Sequence, residues 1–523
     1  MGGLLAQVRA RSAGLSGPSG LVLAGLLAAF LAARVYIAAG GEVFTSYDTF
    51  TYAYRGDPSV DRGPLLSFTG HSPRLWGVPL LYAVLPTDGL RALAQWAIAT
   101  LAWAVLAWAV WSALRTSPAR ELAAGAILLL GLMPAVASWD FAILSESLSI
   151  SLAVLTLALL LRWAATGSRT VLAGLVATAV WWTFTRPEIR LPVAALTAVL
   201  LAYAVRDRVR RRAAVAAAVV LVGAIAWVTA VTPVQSDSFQ RWGATGLPQK
   251  EEVLVYRLRL VVLPDAQMKA VYQSQLGMPG CPGAEQVAAG SEWAIAQFAE
   301  EYRRCPQLRA WGQREGAGSG FRFALTEPGE YARYVRAVAP RTLAGTAYAR
   351  TPAVVPRAVQ EVAFPARERA APLVLGGLVA AGLAALAAGA WRRRRLLLLT
   401  AAGVGAVAAV APLVELMYTA GEYGRFGIQE AVLLRLAGLL LAAVAVDVLT
   451  ERLAGDRSRP VGATTAAGSA VGPGVAAPES VAAPREPEAA GQRLRRRDWI
   501  PTHAPHDPRT DQEEPAHGRR DPS

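Results

Sequence analysis

The chain is poor in charge, in lysine and in histidine. Charged residues make up 17% of its 523 residues, whereas an average soluble domain has about a quarter. Arginine supplies all of the positive charge except that of Lys250 and Lys269, and His71 is the one histidine before residue 503. The low charge excludes an ordinary soluble domain, and a single histidine excludes a multi-histidine metal site in the main body of the chain.

Long apolar runs take the place of the missing charge. Hydrophobic residues make up 54% of the chain, and they gather in runs of about 20 residues, the length that crosses a bilayer core. The pattern predicts an all-α polytopic membrane protein with about ten transmembrane helices. The predicted spans are 21–39, 90–114, 122–138, 147–163, 171–185, 191–205, 213–231, 372–390, 396–416 and 431–449.

The arginines indicate the orientation of these spans. Short arginine-rich connections occur at 115–120, 162–169, 206–212 and 392–395, and such connections face the cytoplasm. Both chain termini are then cytoplasmic, and the two long connections are exoplasmic. The net charge of +14 therefore reflects membrane topology, and we expect a plasma-membrane protein in contact with membrane lipid, with no nucleic-acid partner.

The predicted organisation has five parts. Residues 451–523 are rich in Pro, Ala, Glu and Arg, a composition that predicts a disordered tail. The parts are a cytoplasmic N-terminus (1–20), helices 1–7 (21–232) with an exoplasmic loop (40–89), an exoplasmic domain (233–371), helices 8–10 (372–450) and a cytoplasmic tail (451–523).

The only two cysteines, Cys281 and Cys305, both fall in the predicted exoplasmic domain. Disulfides form in oxidising compartments outside the cytoplasm. The pair therefore predicts a disulfide, with two unpaired thiols as the alternative.

Polar residues concentrate in the connections on the predicted exoplasmic side. Ionisable residues beside the membrane are costly and mark functional sites. Arginine suits phosphate because its planar fork makes bidentate contacts. A carboxylate suits a general base, and an acidic pair also suits a divalent ion such as Mg²⁺ or Mn²⁺. The candidates are the catalytic carboxylates Asp48, Asp140 and Glu146, the phosphate-binding Arg74, Arg186, Arg190 and Arg425, and the further residues His71, Glu422 and Tyr423.

These residues have structural alternatives. An acid near a helix start, such as Asp48, Asp140 or Glu146, also stabilises the helix dipole. Arginines at a membrane boundary, such as Arg186 and Arg190, also act as interfacial anchors.

Four short motifs resemble the GT-C superfamily of polytopic membrane glycosyltransferases, which includes protein O-mannosyltransferases and lipid A aminoarabinose transferases. The motifs are Ser46-Tyr47-Asp48-Thr49 after helix 1, His71-Ser72-Pro73 leading to Leu80-Leu81-Tyr82, Ser145-Glu146 at the start of helix 4, and Tyr423-Gly424-Arg425-Phe426 before the last helix. Two features depart from the family: Thr49 replaces the acid that follows the aspartate in several members, and the large exoplasmic domain lies between helices 7 and 8.

The resemblance implies transfer of a sugar from a polyprenyl-phosphate-linked donor to a cell-envelope acceptor on the exoplasmic side. Asp48 matches the family's first-loop acid, which acts as a base or contacts metal. Arg425 matches, more loosely, a contact to the donor phosphate.

Two other functions remain open from the sequence. A flippase or transporter of a lipid-linked saccharide is expected to carry charges near the bilayer midplane on broken helices, and Glu415 is the residue whose position decides most. A non-catalytic envelope assembly protein would depend on 233–371 and would tolerate loss of the Asp48 carboxylate.

Overall fold

The structure is a computed structural model that describes residues 17–53, 74–239, 245–289, 295–316, 318–417, 421 and 423–457. In these residues the secondary structure is helical, apart from an isolated parallel bridge between Phe44 and Ala142. Two of the predicted site residues, His71 and Glu422, lie outside the described residues, as does the predicted tail from residue 458 onward.

The helices before and after the long insertion form the membrane part. The first ten are α1 (Pro18–Gly40), α2 (Tyr47–Ala53), α3 (Gly77–Ala83), α4 (Asp88–Ala113), α5 (Ser117–Gly131), α6 (Pro134–Ala137), α7 (Ser145–Thr166), α8 (Arg169–Thr183), α9 (Arg190–Arg206) and α10 (Arg211–Phe239). Two short 3-10 turns, Ser138–Phe141 and Pro187–Ile189, precede α7 and α9.

The remaining helices form the insertion and the last three spans. The insertion contains α11 (Gln249–Arg257), a π-helical turn (Leu258–Val262), α12 (Ala266–Ser274), α13 (Pro282–Ala288), α14 (Ile295–Arg304), α15 (Pro306–Glu315), α16 (Gly318–Thr326), α17 (Pro328–Leu343) and α18 (Arg357–Ala363). It is followed by α19 (Arg367–Ala387), α20 (Ala390–Arg393), α21 (Arg395–Glu415), α22 (Tyr423–Phe426) and α23 (Ile428–Arg457).

The chain is a multi-pass membrane protein, with fewer full-length spans than the ten predicted. Among the described residues, eight helices are long and apolar enough to cross a membrane. A ninth span requires the pair Ser117–Gly131 and Pro134–Phe141, bent by 56°, to count as one. Each predicted span coincides with a helix, but α8 has 15 residues and extends only about 22 Å, less than the hydrocarbon core of about 30 Å.

The spans differ strongly in how much protein surrounds them. In α7 and α23, 78% and 72% of the apolar window is buried inside the protein, against 11% in α19. The two central helices therefore carry the polar residues that need protein partners, while large apolar side chains on outer helices, such as Leu373 and Val219, face outward.

An arginine-rich end of the bundle is held together by Asp447. Its Oδ1 accepts hydrogen bonds from the backbone N–H groups of Arg115 (2.9 Å) and Thr116 (2.7 Å). Its Oδ2 pairs with Arg394 Nε at 2.6 Å, with both side chains buried. Arg210 donates to the carbonyl of Ala164 at 2.9 Å at the end of α7. These contacts tie the α4–α5 and α20–α21 connections to α23, and the α9–α10 connection to α7.

We expect Asp447→Asn to destabilise the protein strongly, because it leaves the Arg394 guanidinium buried without its full counter-charge. Breaking a buried ion pair by removing one partner costs about 3 to 5 kcal/mol. The check is the apparent melting temperature in detergent, compared with Glu361→Gln, which removes an exposed ion pair with Arg357 worth about 0 to 1 kcal/mol. Equal melting temperatures for the two variants would contradict the role of Asp447.

The insertion has a hydrophobic core separate from that of the membrane helices. Its largest buried side chains are Tyr272, Phe298, Tyr302, Trp311 and Phe323. We call residues 245–343 the inserted domain.

Two polar contacts fix the inserted domain to the last spans. Arg257 NH1 donates to the carbonyls of Leu416 and Met417, both at 2.8 Å, beyond the end of α21. The hydroxyls of Tyr334 and Tyr423 are 3.1 Å apart. The domain is therefore bound to the same end of the bundle as α22.

Candidate functional site

A short backbone pairing positions Asp48. Phe44 N–H donates to the Phe141 carbonyl at 2.8 Å, and Ile143 N–H donates to the Phe44 carbonyl at 3.0 Å. The Thr49 hydroxyl then donates to the Ile143 carbonyl at 2.9 Å. The segment after α1 is thus tied to the segment before α7, and Asp48 in the first turn of α2 comes next to Glu146 in the first turn of α7.

Arg425 connects these two carboxylates. Its NH2 lies 2.6 Å from Asp48 Oδ2, and its Nε lies 2.7 Å from Glu146 Oε1. The Arg425 side chain is 7% exposed and that of Glu146 is 1% exposed. One guanidinium from α22 therefore bridges residues from two distant parts of the sequence.

Arg74 holds the other oxygen of Asp48. Its NH2 is 3.0 Å from Asp48 Oδ1, and its Nε donates to the Thr51 hydroxyl at 2.9 Å. The guanidinium also stacks over the Tyr52 ring, 4.9 Å from its centroid, and the Tyr52 hydroxyl donates to Ser145 Oγ at 3.1 Å. These contacts with α2 hold Arg74 against Asp48, which Arg425 also contacts.

Arg186, from the turn between α8 and α9, completes the group. Its NH1 lies 3.4 Å from Glu146 Oε1, and its Nε pairs with Glu188. Arg186 and Arg425 both lie over the Phe426 ring, at 5.5 and 5.6 Å from its centroid. The polar cluster, defined as Asp48, Arg74, Glu146, Arg186, Glu188 and Arg425, thus contains three arginines and three carboxylates.

The arginines set the charge state of Asp48. Burial alone would raise the pKa of this carboxyl, but Arg74 and Arg425 outweigh burial and hold the pKa below its ordinary value. Asp48 is therefore ionised at neutral pH.

Three of the predicted residues lie in other environments. Asp140 is buried and pairs with Arg34 of α1 at 2.5 Å, and it accepts a hydrogen bond from Ser147 at 2.8 Å. Arg190 donates to the Pro187 carbonyl at 2.7 Å and to Thr229 at 3.3 Å. The structure thus places Asp140 in a pair that joins helices, and Arg190 against α10. Tyr423 contacts the inserted domain through Tyr334.

Three carboxylates border or join the cluster without having been singled out as site residues: Glu188, Glu252 and Glu430. Glu188 pairs with Arg186. Glu430 is buried in the first turn of α23, within electrostatic range of Arg186 and Glu188. Glu252 comes from the inserted domain and lies within electrostatic range of Arg74 and Asp48. The sequence Arg186-Pro187-Glu188 is the signal that points to Glu188, because a turn at the proline brings the arginine and glutamate side chains together.

The predicted disulfide is wrong for this structure: Cys281 and Cys305 are both free thiols. They precede the helix-starting prolines of α13 and α15 and lie close to each other. Burial, together with the hydrogen bond to Cys305, raises the pKa of Cys281 to about 11. The positions of the two cysteines in the sequence do not distinguish two neighbouring thiols from a disulfide.

We expect both cysteines to react with a maleimide in denaturant without prior reduction, and Cys281 to react more slowly than Cys305 in the folded protein. The reason is that the thiolate is the reactive form, and burial keeps Cys281 protonated. Peptide mass spectrometry after labelling gives the result. If labelling occurred only after reduction, the two cysteines would form a disulfide and this prediction would be wrong.

An apolar groove of about 810 Å³ runs along α8 and α10. Arg169 stands at one end, Trp76 and Trp181 stand at the other, and the walls include Ala177 and Ala216. The Trp181 indole donates to the Gly77 carbonyl at 2.8 Å, which fixes α8 to α3.

One end of the groove lies near the chain segments that carry two arginines of the polar cluster. Trp76 stacks on Phe184 with centroids 4.7 Å apart. Arg74 and Arg186 lie two residues from the two rings along the chain.

No group of three or more His, Cys, Asp and Glu side chains in the described part of the chain is arranged to hold a metal ion. The cluster carboxylates contact arginines instead. A divalent ion, Mg²⁺ or Mn²⁺, therefore stays a prediction of the sequence.

The sequence matches no model of a known protein family and no curated protein. The resemblance to GT-C glycosyltransferases accordingly rests on its four short motifs. Three of those motifs, containing Asp48, Glu146 and Arg425, meet in the polar cluster.

Proposed function

We propose that the protein is a membrane glycosyltransferase that transfers a sugar from a polyprenyl-phosphate-linked donor to a cell-envelope acceptor. The observation that carries the proposal is the meeting of Arg74, Arg186 and Arg425 in the polar cluster, with Arg74 two residues along the chain from Trp76 at one end of an apolar groove. Such a site offers an apolar surface to the chain and arginine forks to the phosphate.

The carboxylates around the arginines have a defined role in this proposal. Asp48 and Glu146 hold Arg74, Arg186 and Arg425 in place before the donor arrives, so that little reorganisation accompanies binding. As the sugar leaves the donor, negative charge develops on the phosphate, and the arginines stabilise it.

The position of the charges supports an enzyme over a transporter. The cluster residues lie at helix ends or in connections. Glu415, whose position is expected to distinguish a transporter from an enzyme, is the last residue of α21. A transporter site is expected near the midplane on interrupted helices. With the arginine-rich end in the cytoplasm, the polar cluster and the inserted domain face the exoplasm of the plasma membrane.

Binding of polyprenyl phosphate tests the proposal directly. A ligand that binds only the folded state stabilises it by about 2.7 kcal/mol at a hundred times its dissociation constant. We expect polyprenyl phosphate to raise the melting temperature of the purified protein, and polyprenol or inorganic phosphate alone to raise it much less. Equal shifts with polyprenol and polyprenyl phosphate would contradict a phosphate role for the arginines.

We expect Ala216→Trp to raise the KM for a long-chain donor about tenfold, a loss of about 1.4 kcal/mol of binding. The indole would occupy the groove that Ala216 lines. Ala226→Trp is the matched control, because Ala226 is exposed on the same helix and does not line the groove. The comparison is made with long-chain and short-chain donors. An equal change for both donors, or for both variants, would contradict a chain-binding groove.

A further inference from the structure

The proposed transfer requires a proton acceptor, and the cluster carboxylates are poorly suited to this task. Asp48 pairs with an arginine through each of its two oxygens. Glu146 Oε1 faces both Arg425 and Arg186. A carboxylate held by arginines is a weak base, because protonation would break charge-assisted hydrogen bonds.

Glu252 is a carboxylate beside the cluster with an unused oxygen. It lies in the first turn of α11, is 7% exposed, and its Oε2 has no hydrogen-bond partner among the described residues. Thr245 lies within hydrogen-bonding reach of the carboxylate. Leaving a buried acceptor atom unpaired costs free energy, so this unpaired oxygen indicates a place for a donor group.

The position of Glu252 follows from the faces of α11. The neighbouring Glu251 contacts Arg309 at 3.5 Å and Gln313 at 3.4 Å, within the inserted domain. Adjacent helical residues do not share a face, so Glu252 lies on a different face of α11 from Glu251. Arg74 and Asp48 are the charged groups that act on it.

The charge state of Glu252 differs from that of Asp48. Burial raises the pKa of Glu252 to about 7, with Arg74 offsetting only part of the effect. A general base works best when its pKa lies near the working pH.

We propose that Glu252 is the proton acceptor of the transfer, an inference that rests on the proposed function. The acceptor hydroxyl oxygen forms a bond to the anomeric carbon of the donor sugar, and the bond from that carbon to the phosphate oxygen breaks. The bonding electrons leave with the polyprenyl phosphate, whose charge the arginines hold. The hydroxyl proton moves to the Glu252 carboxylate.

The inserted domain then has a catalytic role, because it supplies the base. Asp48 becomes a positioning residue for Arg74 and Arg425. This assignment differs from the one that the GT-C resemblance implies for Asp48.

The first test needs no donor. A hydrophobic carbodiimide reacts with protonated carboxyls, so the purified full-length protein is treated over a range of pH and labelled peptides are measured. We expect Glu252 to be labelled at pH 6 and to lose most labelling by pH 8, with half-labelling near its pKa of about 7. Absence of labelling at pH 6, or labelling that does not change with pH, would overturn the proposal.

The second test is the pH profile of transfer by wild type and Glu252→Gln. The wild-type kcat is expected to rise as the pH passes through about 7, because the base must be deprotonated. Glu252→Gln is expected to lower kcat by about 10²- to 10⁴-fold, to leave the donor KM nearly unchanged and to lose this rise. Glu285→Gln is the matched control, since Glu285 forms a half-exposed pair with Lys269 away from the cluster.

The outcomes separate the two proposals. If wild type transfers sugar and Glu252→Gln does so at the same rate, the base assignment is wrong and the transferase stands. If folded wild type transfers sugar from no polyprenyl-phosphate donor, the proposed function is wrong and the base assignment falls with it.

Discussion

Replacing Arg425 with alanine is expected to raise the donor KM about a hundredfold, which corresponds to about 2.7 kcal/mol. The guanidinium would contact the donor phosphate before and during transfer, so its loss acts chiefly on KM. The same change leaves Glu146 buried without its nearest counter-charge. Removal of one partner of a buried pair destabilises the protein by about 3 to 5 kcal/mol. Steady-state kinetics and thermal unfolding measure the two effects separately.

A double variant separates binding from folding. Glu146→Gln combined with Arg425→Gln removes both charges, so no uncompensated charge remains in this pair. We expect much of the stability to return and the donor KM to stay high. Recovery of normal KM in the double variant would show that Arg425 serves only the fold.

Replacing Asp48 with asparagine is expected to lower kcat/KM about 10²- to 10³-fold, the range for loss of one preorganised electrostatic contact. Asparagine keeps the side-chain volume but loses the charge that holds Arg74 and Arg425. Because the side chain is 27% exposed, membrane abundance is expected to be unchanged. Asp88→Asn, which affects a pair with Arg91 in the first turn of α4, is the control.

The pH dependence identifies the role of Asp48. Its folded-state pKa is lowered, so its contribution to stability is fully present above the unfolded pKa of about 3.9. That contribution is lost as the pH falls through the folded pKa. Asp48→Asn is therefore expected to keep the rise of kcat near pH 7. Loss of that rise in Asp48→Asn alone would return the base assignment to Asp48.

The helical architecture was largely readable from the sequence, because apolar length and arginine position are local properties. Every predicted span contains a helix, and the connection motifs with Asp48, Glu146 and Arg425 meet. The predicted number of spans was too high because one apolar run forms a helix too short to cross a membrane: α8 has only 15 residues. The bend lies between Gly131, where α5 ends, and Pro134, where α6 begins. The helix breaks here because proline lacks the N–H that would continue it.

The partners of each polar residue were harder to predict, because they depend on which helices touch. Asp140 and Glu146 are six residues apart in sequence, yet Asp140 pairs with Arg34 of α1 and Glu146 with Arg425 of α22. Arg34 lies inside an apolar run, and the sequence does not indicate that its buried partner is Asp140. Glu252 directly follows Glu251 in a polar segment. The sequence does not indicate that the two carboxylates have different surroundings, because those depend on the fold of the inserted domain.

The measurement that tests the central claim most directly is sugar transfer by purified protein in nanodiscs. Wild type and Asp48→Asn are incubated with radiolabelled polyprenyl-phosphate sugars and a membrane extract as the source of acceptor. We predict that label moves to a new product with wild type and at least about a hundredfold more slowly with Asp48→Asn. Absence of transfer from every donor by folded wild type, or equal transfer by both proteins, would contradict the account.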